Sequence, residues 1–78
     1  MSKKDKTFTK VLEGDASAIK FSELKTALKR KGFRHDRTTG SHEIWVNPQT
    51  DRSINIQPRP KDKTMAKPYQ VRQFRELI

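Results

Sequence analysis

The chain has 78 residues, of which 31% are hydrophobic and 35% are charged, so it has room for one domain with a small core. It contains no cysteine, which excludes disulfides and thiolate metal sites and suits a reducing cytoplasm. No stretch approaches the ~18 apolar residues of a membrane span, and no apolar run of a signal peptide follows the lysine-rich start. We therefore expect a soluble, cytoplasmic protein.

The charge balance is strongly basic. Eighteen Lys and Arg residues against nine Asp and Glu residues give a net charge of +9, and nucleic acid phosphates are the natural counterpart of such a charge. A membrane surface is not favoured as a partner, because no basic amphipathic helix with large apolar residues is evident. The alternatives are an acidic protein partner or a charge that serves only solubility.

The first 20 residues are the least informative part of the sequence. Residues 1–10, MSKKDKTFTK, are polar and rich in lysine, which predicts a mostly disordered basic arm. Val11, Leu12 and Ile19 could attach residues 11–20 to the domain, but this pattern is too short to assign a structure. We divide the chain into an N-terminal arm, residues 1–20, which we expect to be partly disordered, and a domain, residues 21–78.

Two amphipathic segments predict helices. The first runs from about Ser22, a good N-cap, to Lys31, and Gly32 stands where a helix stops. Its basic face is either simply solvated or a contact with RNA. The second begins at Pro68, which suits the first turn of a helix. One side of this helix is apolar and carries Val71, Phe74, Leu77 and Ile78.

Three short segments between the helices predict antiparallel strands. Residues 33–37 form a plausible first strand, and residues 42–47 and 53–57 alternate in polarity. We expect Ile44 and Val46 to share one apolar face with Ile54 and Ile56. The predicted class is α+β: a helix, a three-stranded antiparallel sheet and a helix, with both helices on one face of the sheet and the other face open.

Two short motifs stand at fixed places in this order. Gly32-Phe33 ends the first helix, and the triplet Gly40-Ser41-His42 opens the second strand. This combination resembles the HicA family of bacterial toxins over about residues 21–78. The resemblance implies a fold similar to the double-stranded-RNA-binding domain, endoribonuclease activity that cleaves mRNA and inhibits translation, and a HicB-like antitoxin protein that blocks the active site.

The sequence departs from the family pattern in two places. Many members have a second histidine after the third strand, where this chain has Gln57-Pro58-Arg59-Pro60. Many also begin the last helix with a Gly-Thr-Leu-like segment, where this chain has residues 67–71, KPYQV. These differences concern substrate preference and catalytic strength rather than the fold.

His42 is the candidate catalytic residue. RNA can be cleaved without a metal because its 2′-hydroxyl is a built-in nucleophile, and histidine supplies both an acid and a base near neutral pH. We expect Gly40 and Ser41 to shape a loop where the backbone approaches a phosphate. The alternative is that His42 is structural, and the protein would then be a non-catalytic RNA-binding module.

The remaining candidates concern binding. The segment before the last helix carries three lysines, Lys61, Lys63 and Lys67. Double-stranded-RNA-binding folds contact phosphates at this place, although a flexible basic loop is the competing interpretation. Trp45 has the opposite phase to the predicted core, so it either stacks on a base at the open face or covers neighbouring strand residues. We interpret His35 as a structural or surface residue. Two histidines without a carboxylate cluster define no metal site, so we expect neither a metal nor a small-molecule cofactor.

Overall fold

The computed structural model describes residues 3–78, with side chains from residue 6 onward. The elements in chain order are α1 (Lys3–Glu13), a 3₁₀ turn (Ala16–Ala18), α2 (Phe21–Arg30), β1 (Arg34–Thr39), β2 (His42–Asn47), β3 (Arg52–Ile56) and α3 (Pro68–Glu76). The strands form one antiparallel sheet in the order β1-β2-β3. The predicted α+β class and the three-stranded meander are confirmed. No helix among residues 3–78 is long and apolar enough to cross a membrane.

The N-cap of helix α2 lies two residues earlier than the sequence predicted. It is Lys20 and not Ser22, because the Lys20 backbone N–H donates to the Glu23 carboxylate at 2.9 Å, half of a capping box. The helix ends as expected before Gly32, whose φ of 90° is a conformation that favours glycine. Helix α3 begins at Pro68, as predicted. The helix ends at Glu76, so Ile78, which was predicted on its apolar side, lies beyond it and is exposed.

Both of these helices cover the same face of the sheet. Their buried side chains form one core cluster with Trp45, Ile54 and Ile56. Trp45 pairs with Ile54 across β2 and β3, and is 3% exposed. The predicted phase of β2 is therefore wrong. The face toward the helices carries Trp45, whose large indole buries more apolar area than a β-branched side chain.

The opposite face of the sheet is left uncovered by the helices. It consists of Arg34, Arg37 and Thr39 on β1, His42, Ile44 and Val46 on β2, and Ser53 and Asn55 on β3. We call this surface the open face. Ile44 and Val46, which we expected in the core, lie here and are half-buried among polar neighbours.

Strand β1 contains a β-bulge that changes which side chains reach the open face. The register with β2 shifts between His35 and Arg37, so one extra residue, Asp36, stands on β1 without a pairing partner. His35 pairs with Trp45, and Arg37 pairs with Ile44. In a regular strand His35 and Arg37 would point to the same side. The bulge sends Arg37 to the open face instead.

The N-terminal segment contains a helix that the sequence analysis did not predict. The expected disordered arm is, over residues 3–13, helix α1, and the expectation for residues 1–2 lies outside the described residues. Phe8, Val11 and Leu12 have the spacing of one helix face, and Val11 and Ile19 are fully buried in the common core. This apolar stripe gains enough burial to order a segment whose other residues are mostly polar.

Two arginines from later in the chain hold this segment in place. Arg75 of α3 donates from Nε to the Val11 carbonyl at 2.8 Å and from Nη2 to the Gly14 carbonyl at 2.6 Å. Arg59 donates to the Ser17 carbonyl and, from Nε, to the Ala66 carbonyl at 2.9 Å. These bonds satisfy carbonyl groups at the C-terminal end of α1 and in the 3₁₀ turn. These bonds and the buried side chains attach residues 8–19 to the rest of the fold.

Candidate active site

The turn between β1 and β2 is built from two residues, Gly40 and Ser41. Gly40 has a φ of 61°, a conformation that a two-residue hairpin turn requires and that glycine adopts without strain. An added Cβ at Gly40 would meet no atom within 4 Å, so the requirement is conformational and not steric. The turn brings Thr39 and His42 into a pair at the end of the hairpin.

His42 is the first residue of β2 and lies on the open face. Its side chain is exposed, so the alternative of a buried structural histidine does not describe it. The ring nitrogen Nδ1 lies 3.2 Å from Oδ1 of Asn55 on β3, within hydrogen-bonding distance. The second ring nitrogen, Nε2, is not engaged by Asn55. The histidine therefore combines an oriented ring with solvent access.

Two cationic side chains share this face with His42. Arg37 pairs with Ile44, two residues along β2 from His42, and Arg34 lies near the other end of β1. Arg37 also forms an ion pair with Asp36, with Nη1 and Oδ2 2.7 Å apart. Since the Arg37 side chain is 65% exposed, its remaining N–H groups face solvent, where an anion could bind.

A groove of about 260 Å³ continues from the hairpin turn toward the basic loop. Its lining residues are Ser41, Gln57, Pro58, Arg59, Pro60 and Lys63. The Ser41 hydroxyl donates to Oε1 of Gln57 at 3.4 Å, a weak hydrogen bond across its mouth. The structure thus brings two of the predicted binding residues, Ser41 and Lys63, to one concave surface.

Lys63 also lines a second groove, of about 510 Å³, at the start of α2. The other basic residues there are Lys20 and Lys25. Lys63 therefore lines both the groove that begins at Ser41 and a groove with two other lysines at the start of α2. The sequence predicted the basic loop but not this connection between the two grooves.

The other two predicted lysines are placed differently. Lys61 is exposed in the loop and lines neither groove. Lys67 is the N-cap residue of α3, and its Nζ lies 5.9 Å from the ring centre of Tyr69 in a cation–π contact. The three lysines therefore do not form one compact cluster.

The loop that carries Lys61 and Lys63 has its own local structure. Between these lysines, Asp62 Oδ1 accepts hydrogen bonds from the Thr64 hydroxyl at 2.6 Å and from the Thr64 backbone N–H at 3.0 Å. The hydroxyl bond, followed by the backbone bond, lowers the pKa of Asp62. At neutral pH the carboxylate is thus ionised and holds a turn that presents Lys63.

His35 and Trp45 lie together on the side of the sheet away from His42. The two rings are 5.4 Å apart between centres, and His35 Nε2 lies 2.7 Å from the Thr38 hydroxyl. Trp45 Nε1 donates to Glu43 Oε1 at 3.1 Å, which satisfies the buried indole. Trp45 is therefore not a stacking surface on the open face. The alternative, that it covers neighbouring strand residues, is the one that the structure supports.

Arg37 and Asn55 are candidate site residues that the sequence alone did not reveal. Arg37 reaches the open face only because of the bulge at Asp36, which no sequence pattern marks. Asn55 could have been found, since it alternates with Ile54 and Ile56 and so lies on the opposite side of β3 from the core. No group of three or more His, Cys, Asp or Glu residues that could hold a metal occurs in the part of the chain that the structure describes.

A helix, a three-stranded antiparallel meander and a closing helix on one sheet face give the topology of double-stranded-RNA-binding-like domains. On this scaffold the structure places an exposed histidine at the start of the second strand. A sequence model described as the HicA toxin of bacterial toxin–antitoxin systems matches residues 21–78. The chain therefore belongs to the HicA toxin family, as the resemblance predicted. Comparisons with curated proteins and with solved structures gave no significant match.

Proposed function

We propose that this HicA-family toxin is a cytoplasmic endoribonuclease that cleaves mRNA without a metal or other cofactor, with His42 as its proton-transfer group. The observation that carries the proposal is the position of His42 on the open face. The ring is exposed, it is oriented by Asn55, and it shares the face with Arg37. A flexible single strand of RNA can reach such a surface, whereas a buried histidine would be out of reach.

The chemistry needs only proton transfer and charge stabilisation. His42 Nε2 takes the proton of a 2′-hydroxyl, the freed oxygen attacks the adjacent phosphorus, and the bond from phosphorus to the 5′-oxygen breaks. The leaving 5′-oxygen receives a proton from the imidazolium or from water. The products are a 2′,3′-cyclic phosphate and a 5′-hydroxyl, so no proton is gained or lost overall.

Arg37 and Lys63 have the charge to stabilise the transition state and the substrate. The pentacoordinate phosphorus carries additional negative charge, and preorganised cations lower its energy. Arg37 shares the open face with His42, and Lys63 lines the groove that begins at Ser41. We assign Gly40 and Ser41 to the shape of the turn at this groove. Lys61 and Lys67 would add attraction for more distant phosphates.

The family implies an antitoxin partner, and we propose that it is a HicB-like protein that covers the open face. Ile44 and Val46 are half-buried there and are flanked by Arg34 and Arg37. An apolar strip with a cationic border fits a partner whose interface combines apolar and acidic side chains. Trp45 is not part of this interface, because it is buried against the helices.

Cleavage of a long mRNA in EDTA tests the catalytic proposal. Wild type, His42→Ala and Ser53→Ala would be compared, since Ser53 lies on the same face and serves as a matched control. We expect wild type and Ser53→Ala to cleave and His42→Ala to bind RNA without cleaving it. The 5′ ends of the fragments should carry hydroxyl groups. A folded wild type that binds RNA but never cuts it would instead identify a non-catalytic RNA-binding module.

A further inference from the structure

We propose that Asn55 is a positioning residue that fixes the tautomer of His42. In this assignment, the Asn55 carbonyl oxygen holds the proton of the neutral imidazole on Nδ1 and leaves the lone pair of Nε2 free to accept a proton from RNA. The inference rests on the proposed function, since it assigns Nε2 as the base. It adds a residue that acts through His42 and does not itself touch the reacting atoms.

The sheet register accounts for the contact. Asn55 pairs with Ile44, two residues along β2 from His42, so the side chains of His42 and Asn55 lie diagonally across the open face. Diagonal neighbours in an antiparallel pair remain within reach of medium-sized side chains. The distance from Nδ1 to Oδ1 is 3.2 Å, and both residues belong to regular strands, so the backbone fixes the separation of the two groups.

The hydrogen bond determines what each ring nitrogen can do. A neutral imidazole has one N–H donor and one acceptor nitrogen, and a carbonyl oxygen can only accept. Oδ1 beside Nδ1 therefore requires the proton on Nδ1, and Nε2 must then be the basic nitrogen. A neutral histidine in water favours the other tautomer, with the proton on Nε2. Asn55 thus selects a form that His42 would not favour by itself.

The Asn55 side chain is uncharged, which suits a site that binds phosphate. A carboxylate could orient the same ring, but its negative charge would repel the RNA backbone and would hold the ring in its protonated form. An amide orients the ring through a dipole and adds no net charge. Arg37 on the same face then attracts the phosphate without a competing anion from β3.

Long-range ¹H–¹⁵N NMR correlations measure the tautomer directly. The spectrum of His42 would be recorded at about pH 8, above the usual pKa of histidine. We expect wild type and Ser53→Ala to show the proton on Nδ1, and Asn55→Ala to shift toward the proton on Nε2. A wild-type ring with its proton on Nε2 would overturn the assignment. That result would mean that the Asn55 amide is turned and donates from its nitrogen.

Cleavage kinetics then separate positioning from structure. Asn55→Ala is expected to lower kcat about tenfold to a hundredfold, the size of effect known for partners that orient metal-bound histidines, while KM and the melting temperature stay near wild type. Asn55→Asp keeps an acceptor oxygen, so it should retain the Nδ1 proton and recover most of kcat at about pH 8, whereas its negative charge should raise KM for RNA. Asn55→Ala cleaving at the wild-type rate would overturn the inference.

The cleavage assay and the NMR measurement distinguish a failure of the proposed function from a failure of the role assigned to Asn55. If wild type cleaves no RNA, the proposed ribonuclease function is lost, whereas the NMR result still tests the contact between Asn55 and His42. If wild type cleaves but its tautomer is unaffected by Asn55→Ala, the function stands and Asn55 has no positioning role.

Discussion

His35 and His42 lie on opposite faces of the sheet, although they are the only two histidines in the chain and stand on adjacent strands. His35 packs on Trp45 on the helix side, and His42 lies beside Asn55 on the open face. The two rings cannot act on one phosphate as an acid–base pair. A single histidine, together with solvent and the neighbouring cations, must carry the proton transfers in the proposed reaction.

His42→Ala should abolish cleavage of mRNA and inhibition of growth, with the fold retained. The loss of a proton-transfer group typically lowers the rate about 10²–10⁴-fold, and the exposed side chain contributes little to the core. His35→Ala is the matched comparison and should keep wild-type cleavage. Melting temperature, RNA affinity and cleavage in EDTA would be measured on both variants. A His35→Ala variant that folds and binds but does not cleave would contradict the assignment of His42 as the only catalytic histidine.

Helices α2 and α3 could be predicted from the sequence because their signals are local, whereas α1, whose apolar stripe is short, was not predicted. Pro68 at a first turn and Gly32 after a last turn mark boundaries within a few residues. The Gly40-Ser41 turn was predicted for the same reason. Such features depend on the conformational preferences of single residues, and the rest of the fold hardly changes them.

The sequence could not predict which face of β2 lies in the core, because both faces carry large apolar side chains. Ile44 and Val46 alternate with Trp45, so the period of two is clear but the choice of face is not. Only packing against the helices decides it. The bulge at Asp36 is a similar case, since it depends on how β1 meets β2, and the position of Arg37 depends on the bulge.

Trp45→Ala should unfold the protein or severely destabilise it, and not selectively weaken RNA binding. Removing a buried tryptophan typically costs about 3–5 kcal/mol, a large share of the stability of a small domain. Trp45→Phe fills much of the same space and should preserve both fold and RNA affinity. Far-UV circular dichroism and RNA titrations check this. A well-folded Trp45→Ala variant with a specific loss of RNA affinity would restore the stacking role.

RNA affinity should fall steeply with salt, and Lys63 should matter more than Lys61. Each phosphate contact contributes about 0.7 to the slope of log K against log salt for a single strand. Lys63 lines both grooves, whereas Lys61 lines neither. We therefore expect Lys63→Ala to reduce affinity and slope, and Lys61→Ala to change them less. Fluorescence anisotropy at several salt concentrations measures both. Equal effects of the two substitutions would contradict a special role for Lys63.

Helix α1 should contribute to the free energy of unfolding, whereas a disordered arm would contribute nothing. Val11 is fully buried, so Val11→Ala is expected to lower the free energy of unfolding by about 1–2 kcal/mol, since it removes two buried methyl groups. Thr9→Ala, at an exposed position of the same helix, is the control and should be nearly neutral. Urea unfolding followed by Trp45 fluorescence gives both values. No change for Val11→Ala would mean that α1 does not pack stably in solution.

Glu23 should make the stability of the fold depend on pH. Burial alone would raise the pKa of its carboxyl, but the hydrogen bonds from the Lys20 backbone and from the Lys10 side chain outweigh this effect and lower the pKa. The Lys10 ammonium lies 3.0 Å and 3.1 Å from the two carboxylate oxygens. The bond to Lys20 caps α2, and the bonds to Lys10 connect α2 to α1.

The sign of the effect follows from the lowered pKa. The folded state stabilises the ionised Glu23 carboxylate more than the unfolded chain does. The contribution of this carboxylate to the free energy of unfolding is therefore complete above the usual pKa of glutamate, and it is lost as the pH falls through the pKa of Glu23 in the folded state. Glu23→Gln should therefore lower the free energy of unfolding by about 0.5–1 kcal/mol at neutral pH, and the difference from wild type should shrink on acidification. Urea unfolding between about pH 7 and about pH 3 spans this range. Glu76→Gln, at an exposed position near the end of α3, is the control and should follow the wild-type pH profile. A constant difference between wild type and Glu23→Gln at every pH would show that the Glu23 charge does not stabilise the fold.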